Sequence, residues 1–230
     1  MTDYILVHGA WCTGRVWDTV AAGLTDLGHT VHVVEQLPST GGAGAGLAED
    51  VEHVRQALRA RPGAVLVAHS YAGIVAAELA DEPDLAHTVH LASFWPRPGQ
   101  ALVDLRAEWD DPWLDDGGDG TLVVTDRVDH AHSMLAADLS DEDYAVFHAT
   151  LRPQSLASVV TPASAPKRTH PATYVRCLRD QAVPTVDQVK MGAGADHTVT
   201  LDASHMVMLS RPRELVAVLA KVGENAKQPA

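Results

Sequence analysis

Residues 65–73 read VLVAHSYAG, and the organisation of the whole chain follows from this stretch. An apolar run leads into His69-Ser70-Tyr71, and the Ala-rich IVAAELA that comes next has the composition of a helix. Strand, sharp turn and helix in that order make a nucleophile elbow, in which a serine is held at the tip of a strained turn with its hydroxyl exposed. The usual spacing is G-x-S-x-G. Here both glycine positions are alanine, Ala68 and Ala72, with Gly73 directly after. Small residues are required because side chains two before and two after the serine would collide, and alanine still fits, in a tighter turn. The plainer reading is a serine capping a helix N-terminus; the placement of Ser70 between an apolar strand and an Ala-rich helix favours the elbow.

Outward from the elbow, the pattern repeats. Tyr4-Ile5-Leu6-Val7 is a short apolar run of the kind expected of a buried parallel strand, and it ends in His8-Gly9-Ala10-Trp11. Val16, Trp17, Val20, Ala21, Leu24 and Leu27 follow at helical spacing, closed by Gly28. Residues 30–34 form the next strand, and Leu47, Val51, Val54 and Leu58 mark a second amphipathic helix. A strand over 88–92 completes four alternations, which indicates a doubly wound, mostly parallel sheet with helices on both faces. The Gly-rich GGAGAG at 41–46 is not a phosphate-binding loop, because no Lys-Ser/Thr follows it and no strand opens directly into it.

From Arg97 the alternation breaks. Residues 97–170 are acidic, carry several prolines and glycines, and show only helical stretches; they read as a mainly helical cap inserted over the carboxyl ends of the strands. The sheet pattern resumes with ATYVRCL at 172–178 and HTVTL at 197–201, followed by an amphipathic helix over 213–222 and a frayed tail over 224–230. The expected division is therefore a core of residues 1–96 and 171–230 with a cap between.

With 230 residues, of which 46% are hydrophobic, the chain can bury a sizeable core. Its net charge of −13 argues against nucleic acid and anionic membranes as partners, since a polyanion would be repelled. Between positions 97 and 150 stand thirteen Asp or Glu against three Arg, which reads as a solvated face. Cys12 and Cys177 are too few for a disulfide scaffold and read as buried free thiols of a reducing compartment. No leader-like or membrane-spanning run is evident, so a cytoplasmic location is expected. A homodimer is left open.

Serine is a poor nucleophile until a base takes its proton, so Ser70 needs a histidine, and the histidine needs an orienting acid. In sheets of this kind the order is Ser, acid, His. Among thirteen histidines, His205 is the best base, because it lies in the loop LDASH after the last strand, at the carboxyl edge where ligands bind. The alternative is a loop histidine stacked on the Met-rich run after it. Asp180 is the best acid, two residues past ATYVRCL; Asp187, Asp196 and Asp202 are its rivals. An oxyanion hole needs two converging backbone N–H groups. Tyr71, directly after the nucleophile, and Ala10, in the loop after the first strand, are the candidates, with Gly9 allowing close approach and Trp11 as a pocket wall. His8 and His69 read as structural. The stretch DRVDHAH at 126–132 has metal-ligand residue types but no second cluster at ligand spacing, so neither a metal nor a cofactor is expected.

These residues resemble a known family. LVHGAW with GRVWDTVAAGLTDLGHTV, the elbow VAHSYAG, YVRCLRDQAVP and ASHMVMLSRPREL are similar to the α/β-hydrolase branch that holds plant methylesterases, their bacterial esterase relatives and the hydroxynitrile lyases. LRPQSLASV, from Leu151, resembles the return segment of the cap in the bacterial members. The resemblance implies the α/β-hydrolase fold, Ser70, Asp180 and His205 as triad, and the Ala10 and Tyr71 N–H groups as oxyanion hole. The lyases of the branch carry a lysine after the base histidine and a threonine in the HGAW-like loop; here those positions are Met206 and Gly9. Ester hydrolysis is thus expected over cyanohydrin cleavage. Trp11, Phe94, Trp95 and Met206 suit a small, largely apolar ester as the partner molecule. A non-hydrolytic step on the same triad, or a ligand-binding protein on a hydrolase scaffold, are the alternatives.

Overall fold

The computed structural model describes residues 1–106 and 113–226. Its centre is a sheet whose inner strands are almost wholly buried, as expected where helices cover both faces. β1 (Asp3–Val7) and β3 (Ala64–His69) pair inside it, and every residue of β3 is buried. With β2 (Thr30–Val33), β4 (Leu85–Leu91), β8 (Ala172–Cys177) and β9 (His197–Leu201) they form six strands in the order β2-β1-β3-β4-β8-β9, every pair parallel. The expected fold class is borne out. β4 begins three residues earlier than expected, at Leu85.

Parallel neighbours in such a sheet are joined by crossover connections, which are right-handed as a rule. α1 (Asp18–Asp26) leads from β1 out to β2, whereas α2 (Leu47–Arg59) and α3 (Ala72–Glu78) lead the other way, to β3 and β4. The strand order therefore reverses between β1 and β3, and the loops leaving these two strands diverge at one point of the carboxyl edge. Crevices of this kind are where open α/β sheets bind ligands. Gly28 ends the turn after α1 with φ +82°, in the region that favours glycine.

Between β4 and β8 the chain makes α4 (Leu102–Leu105), β5 (Leu114–Asp116), β6 (Thr121–Val124), α5 (Val128–Leu135), α6 (Asp141–His148), β7 (Gln154–Ser155) and α7 (Leu156–Val160). The segment is mainly helical, but the expectation of helical stretches alone is corrected: β5, β6 and β7 form a three-stranded antiparallel sheet. Strands this short carry too few residues for an alternation to be legible. The turn in Gly117-Gly118-Asp119-Gly120, with Gly118 at φ +79° and Gly120 at φ +83°, closes the β5–β6 hairpin. β7 also bridges to Thr40, which ties the insertion to the loop after β2.

After β8 come α8 (Thr185–Met191), β9, α9 (Val207–Ser210) and α10 (Pro212–Asn225). α10 packs on α1, where a Cβ on Gly23 would meet Val216 Cγ2 at 2.9 Å. The final helix is longer than expected at both ends, and positions 227–230 of the expected frayed tail lie outside the described residues. Among the described residues no helix is long and apolar enough to cross a membrane. Both cysteines are buried and unpaired with each other.

Candidate active site

The elbow forms where β3 ends and α3 begins. Ser70, between them, has φ +53°, a left-handed conformation that costs a non-glycine residue about 1–2 kcal/mol. The surroundings hold it there: Ser70 N–H donates to the Leu91 carbonyl (3.2 Å), and its own carbonyl accepts from Gly73 (3.0 Å) and Phe94 (3.1 Å). A Cβ on Gly73 would fall on the Phe94 carbonyl oxygen and lie 2.6 Å from Ser93 Oγ. Gly73 is thus the small residue on which α3 and the loop after β4 close.

Asp180 and His205 come from loops after β8 and β9, adjacent strands of the sheet. His205 Nδ1 donates to Asp180 Oδ2 at 2.8 Å, with both side chains buried. Asp180 is further held by Val183 N–H on Oδ1 (2.8 Å) and by Gln188 Nε2 on Oδ2 (3.0 Å). With its proton committed to Nδ1, the His205 ring leaves Nε2 as the basic nitrogen. Among the described residues no hydrogen bond joins the Ser70 hydroxyl to that ring, although both line one cavity. Such pairs commonly tighten only around substrate. The rival carboxylates are engaged elsewhere: Asp187 with Lys190 (2.8 Å), Asp196 with Arg168 (2.8 Å) and Asp202 with Arg179 (2.8 Å).

The loop that carries His205 is clamped from two sides. His69 Nε2 bonds to the His205 carbonyl (3.1 Å), with the two rings 4.5 Å apart. Burial, reinforced by the neighbouring His205, pushes the His69 imidazole well below the ordinary histidine range, so it stays neutral. From the insertion, Asp138 accepts from Ser204 N–H (3.0 Å) and Ser204 Oγ, and the Leu135 carbonyl accepts from Met206 N–H (3.0 Å).

Ala10 and Tyr71 line the same cavity. Among the described residues neither N–H is taken up by a hydrogen bond. His8 orients the first of them: its Nε2 accepts from Leu37 N–H (3.1 Å), so Nδ1 carries the proton and donates to the Gly9 carbonyl (2.8 Å). That carbonyl is trans to the Ala10 N–H across one peptide plane. Gly9 lies against Ser70, and a Cβ there would stand 2.8 Å from Ser70 Cβ and 3.0 Å from His69 Nδ1.

The cavity that holds Ser70 and His205 is lined by Ala10, Trp11, Tyr71, Phe94, Leu102, Arg106, Trp113, Ala182 and Val183. It is narrow, with about 10 Å³ of free room, close to one water. Trp11 meets Trp113 edge-on at 5.2 Å, and the Arg106 guanidinium lies over the Trp113 ring at 5.4 Å. Of the expected pocket residues Gly9, Trp11, Phe94, Trp95 and Met206, Trp11 and Phe94 line this cavity, and Gly9, packed against Ser70, does not. Trp95 does not: it stacks on His90 at 4.0 Å and lines a separate cleft of about 410 Å³ that contains none of Ser70, Asp180 or His205. Met206, directly after His205, is fully buried and does not line the cavity. Sequence reasoning missed Leu102, Arg106, Trp113, Ala182 and Val183. Trp113 stands in DPWLDD as an apolar residue among acids, a signal that could have marked it; Arg106 brings a cation to the site from a position remote from His205. In the stretch 126–132, His132 stacks on Tyr144 (4.2 Å) and bonds the Leu139 carbonyl (3.2 Å).

The sequence pattern of the Alpha/beta hydrolase family matches residues 4–218, nearly the whole chain. The chain belongs to the alpha/beta hydrolase family. A pyrethroid hydrolase of Sphingobium wenxiniae is 27% identical to this alpha/beta hydrolase over 96% of its length and 87% of the relative's. The crystal structure of a pyrethroid hydrolase from Sphingobium faniae JZ-2 superposes with a TM-score of 0.84 at 24% identity, covering 97% of each chain. An extracellular alpha/beta-hydrolase from a Paenibacillus species, described as sharing structural and functional homology with tobacco salicylic acid binding protein 2, gives a TM-score of 0.85 at 20% identity over 97% of this chain and 99% of that one.

Proposed function

We propose that this alpha/beta hydrolase cleaves a small, largely apolar carboxylic ester, with Ser70 as nucleophile, His205 as base and Asp180 as its orienting acid. The observation that carries the reading is the buried Asp180–His205 pair at 2.8 Å, with His205 in one cavity with a serine held at φ +53° and with Ala10 and Tyr71, whose backbone N–H groups are unengaged among the described residues. The name of the Sphingobium wenxiniae relative, a pyrethroid hydrolase, supports hydrolysis as the reaction class.

In this mechanism Ser70 Oγ attacks the ester carbonyl carbon while His205 Nε2 takes its proton. The carbonyl π pair moves onto oxygen, and the resulting oxyanion is met by the Ala10 and Tyr71 N–H groups. Asp180 holds the imidazolium in place through Nδ1–H. Collapse of the tetrahedral intermediate expels the alkoxide, which leaves as alcohol with the proton from Nε2. Water, deprotonated by the same nitrogen, then releases the acid from the acyl-enzyme. Trp11, Phe94, Leu102 and Trp113 supply the apolar walls, and admission of an ester requires these side chains to give way, because the cavity holds only about one water.

No nucleic acid, membrane, metal or cofactor enters this reading; its partner is the ester itself. The test is hydrolysis of short p-nitrophenyl esters by wild type and Ser70→Ala. Turnover that disappears in the variant supports the assignment, and unchanged turnover sinks it.

A further inference from the structure

The loop that carries Ala10 is strained one residue later. Trp11 has φ +62°, and no glycine stands there to relieve it. Among the described residues three hydrogen bonds hold Trp11, and all three come from the insertion: its carbonyl accepts from Arg152 N–H (2.8 Å), its indole Nε1 donates to the Leu122 carbonyl (2.9 Å), and its backbone N–H donates to Gln154 Oε1 (3.3 Å). The first two tie Trp11 to backbone. The third ties it to one replaceable side chain.

Gln154 is fully buried and uses all of its hydrogen-bonding capacity. Oε1 also accepts from Thr40 Oγ1 (3.2 Å), and Nε2 donates to Ser39 Oγ (2.7 Å) and Ser158 Oγ (2.7 Å). Since Trp11 N–H can only donate, it fixes which end of the amide is oxygen. Ser39 Oγ in turn gives its hydrogen to Asp50 Oδ2, the oxygen that also accepts from Tyr71 Oη (2.6 Å). One buried chain of bonds thus joins the two residues flanking the cavity's N–H pair: Trp11, next to Ala10, and Tyr71 itself.

We infer that Gln154 is a positioning residue that sets the oxyanion donor Ala10, by holding the strained Trp11 peptide through its amide oxygen and coupling it to Tyr71 through Ser39 and Asp50. The inference rests on the ester-hydrolase reading above. Gln154 touches no reacting atom. A group that only filled the interior would influence stability alone, whereas this one pins the peptide next to a catalytic N–H, where a misplacement of about 1 Å costs on the order of a hundredfold in rate.

Gln154→Leu and Gln154→Glu separate the two roles. In the folded Leu variant kcat should fall about 10- to 100-fold with KM within about threefold, and affinity for a boronic acid transition-state analogue should fall by the same factor. In the Glu variant an ionised carboxylate keeps an acceptor for Trp11 but has no hydrogen for Ser39 Oγ, whose own is given to Asp50. Protonation restores that donor. The ratio of Glu-variant to wild-type kcat should therefore rise as pH falls, an effect that a purely structural role does not produce. A Leu variant with wild-type kcat, or a flat ratio for the Glu variant, overturns the inference. If the Leu variant does not fold, the ratio decides. A wild type that neither hydrolyses esters nor is labelled at Ser70 by a fluorophosphonate overturns the ester-hydrolase reading and this inference with it; an active, labelled wild type indifferent to Gln154 overturns this inference alone.

Discussion

Asp180 Oδ2 lies 2.8 Å from His205 Nδ1, and the same carboxylate is held by the Val183 N–H and the Gln188 amide. Three donors from two directions leave the acid one orientation, and through it the ring has one tautomer. Asp180→Asn presents an amide in place of the second oxygen and allows the wrong tautomer of His205. An activity loss of about 10⁴-fold in kcat, with the fold retained by circular dichroism, is expected. A variant retaining near-full kcat means that another acid orients the base.

Gly9 is packed on Ser70, with a Cβ there only 2.8 Å from Ser70 Cβ. In Gly9→Ala either the serine or the donor loop has to shift by several tenths of an ångström. The expected outcome is a drop of about 10- to 100-fold in kcat/KM against p-nitrophenyl esters. The melting temperature should change by only a few degrees, because the displaced groups lie at the site rather than in the main core. Thermal melts and steady-state kinetics on one preparation check both halves.

Gly73→Ala meets backbone instead. Its Cβ would fall on the Phe94 carbonyl and crowd Ser93 Oγ at 2.6 Å, so the loop after β4 has to move away from α3. Overpacking of this kind costs about 1–3 kcal/mol, and the loss of the Phe94 N–H bond to the Ser70 carbonyl adds to it. A fall in melting temperature of roughly 5–10 °C is expected for a chain of this length, together with lost activity. Calorimetry showing an unshifted transition contradicts the packing assigned here.

Acid should unfold the protein through its interior histidines. Burial pushes His8, His87 and His170 down to about 4 and His90 to about 3. In the unfolded chain each titrates near 6.5. Between those values the unfolded state binds more protons than the folded one, so their stability is fully present above about pH 6.5 and is lost as pH falls towards 4. Urea midpoints measured from pH 8 down to pH 4.5 should decline over that window. His90→Asn should flatten the decline, and a midpoint independent of pH in the wild type refutes it.

Much of the fold was legible because a doubly wound sheet writes itself into local sequence. Strands buried on both faces are apolar runs such as Tyr4-Ile5-Leu6-Val7, and covering helices repeat their apolar residues at three and four. The elbow was legible for a related reason: a turn that admits only small residues two before and two to three after a serine leaves Ala68, Ala72 and Gly73 as its trace. The β5–β6–β7 sheet left no such trace. Its strands are too short to alternate, and the glycines of its turn resemble those of any loop.

The site divides along the same line. Order along the chain and position at strand ends were enough to single out Ser70, Asp180 and His205 as candidates, because a sheet of this type delivers its loops to one edge in a fixed sequence. The walls of the cavity were not accessible in that way. Trp95 and Met206 are near Phe94 and His205 in sequence, yet one stacks on His90 outside the cavity and the other is fully buried without lining it. Trp113 and Arg106 come to the site from the insertion, and Gln154 reaches Trp11 across 143 residues. The sequence by itself determined the scaffold and the order of the reactive groups, because these follow from local periodicity and steric limits at single turns. Which side chains enclose the serine, and what holds the strained peptide beside it, only the tertiary structure decided, because those contacts join segments with no local pattern in common.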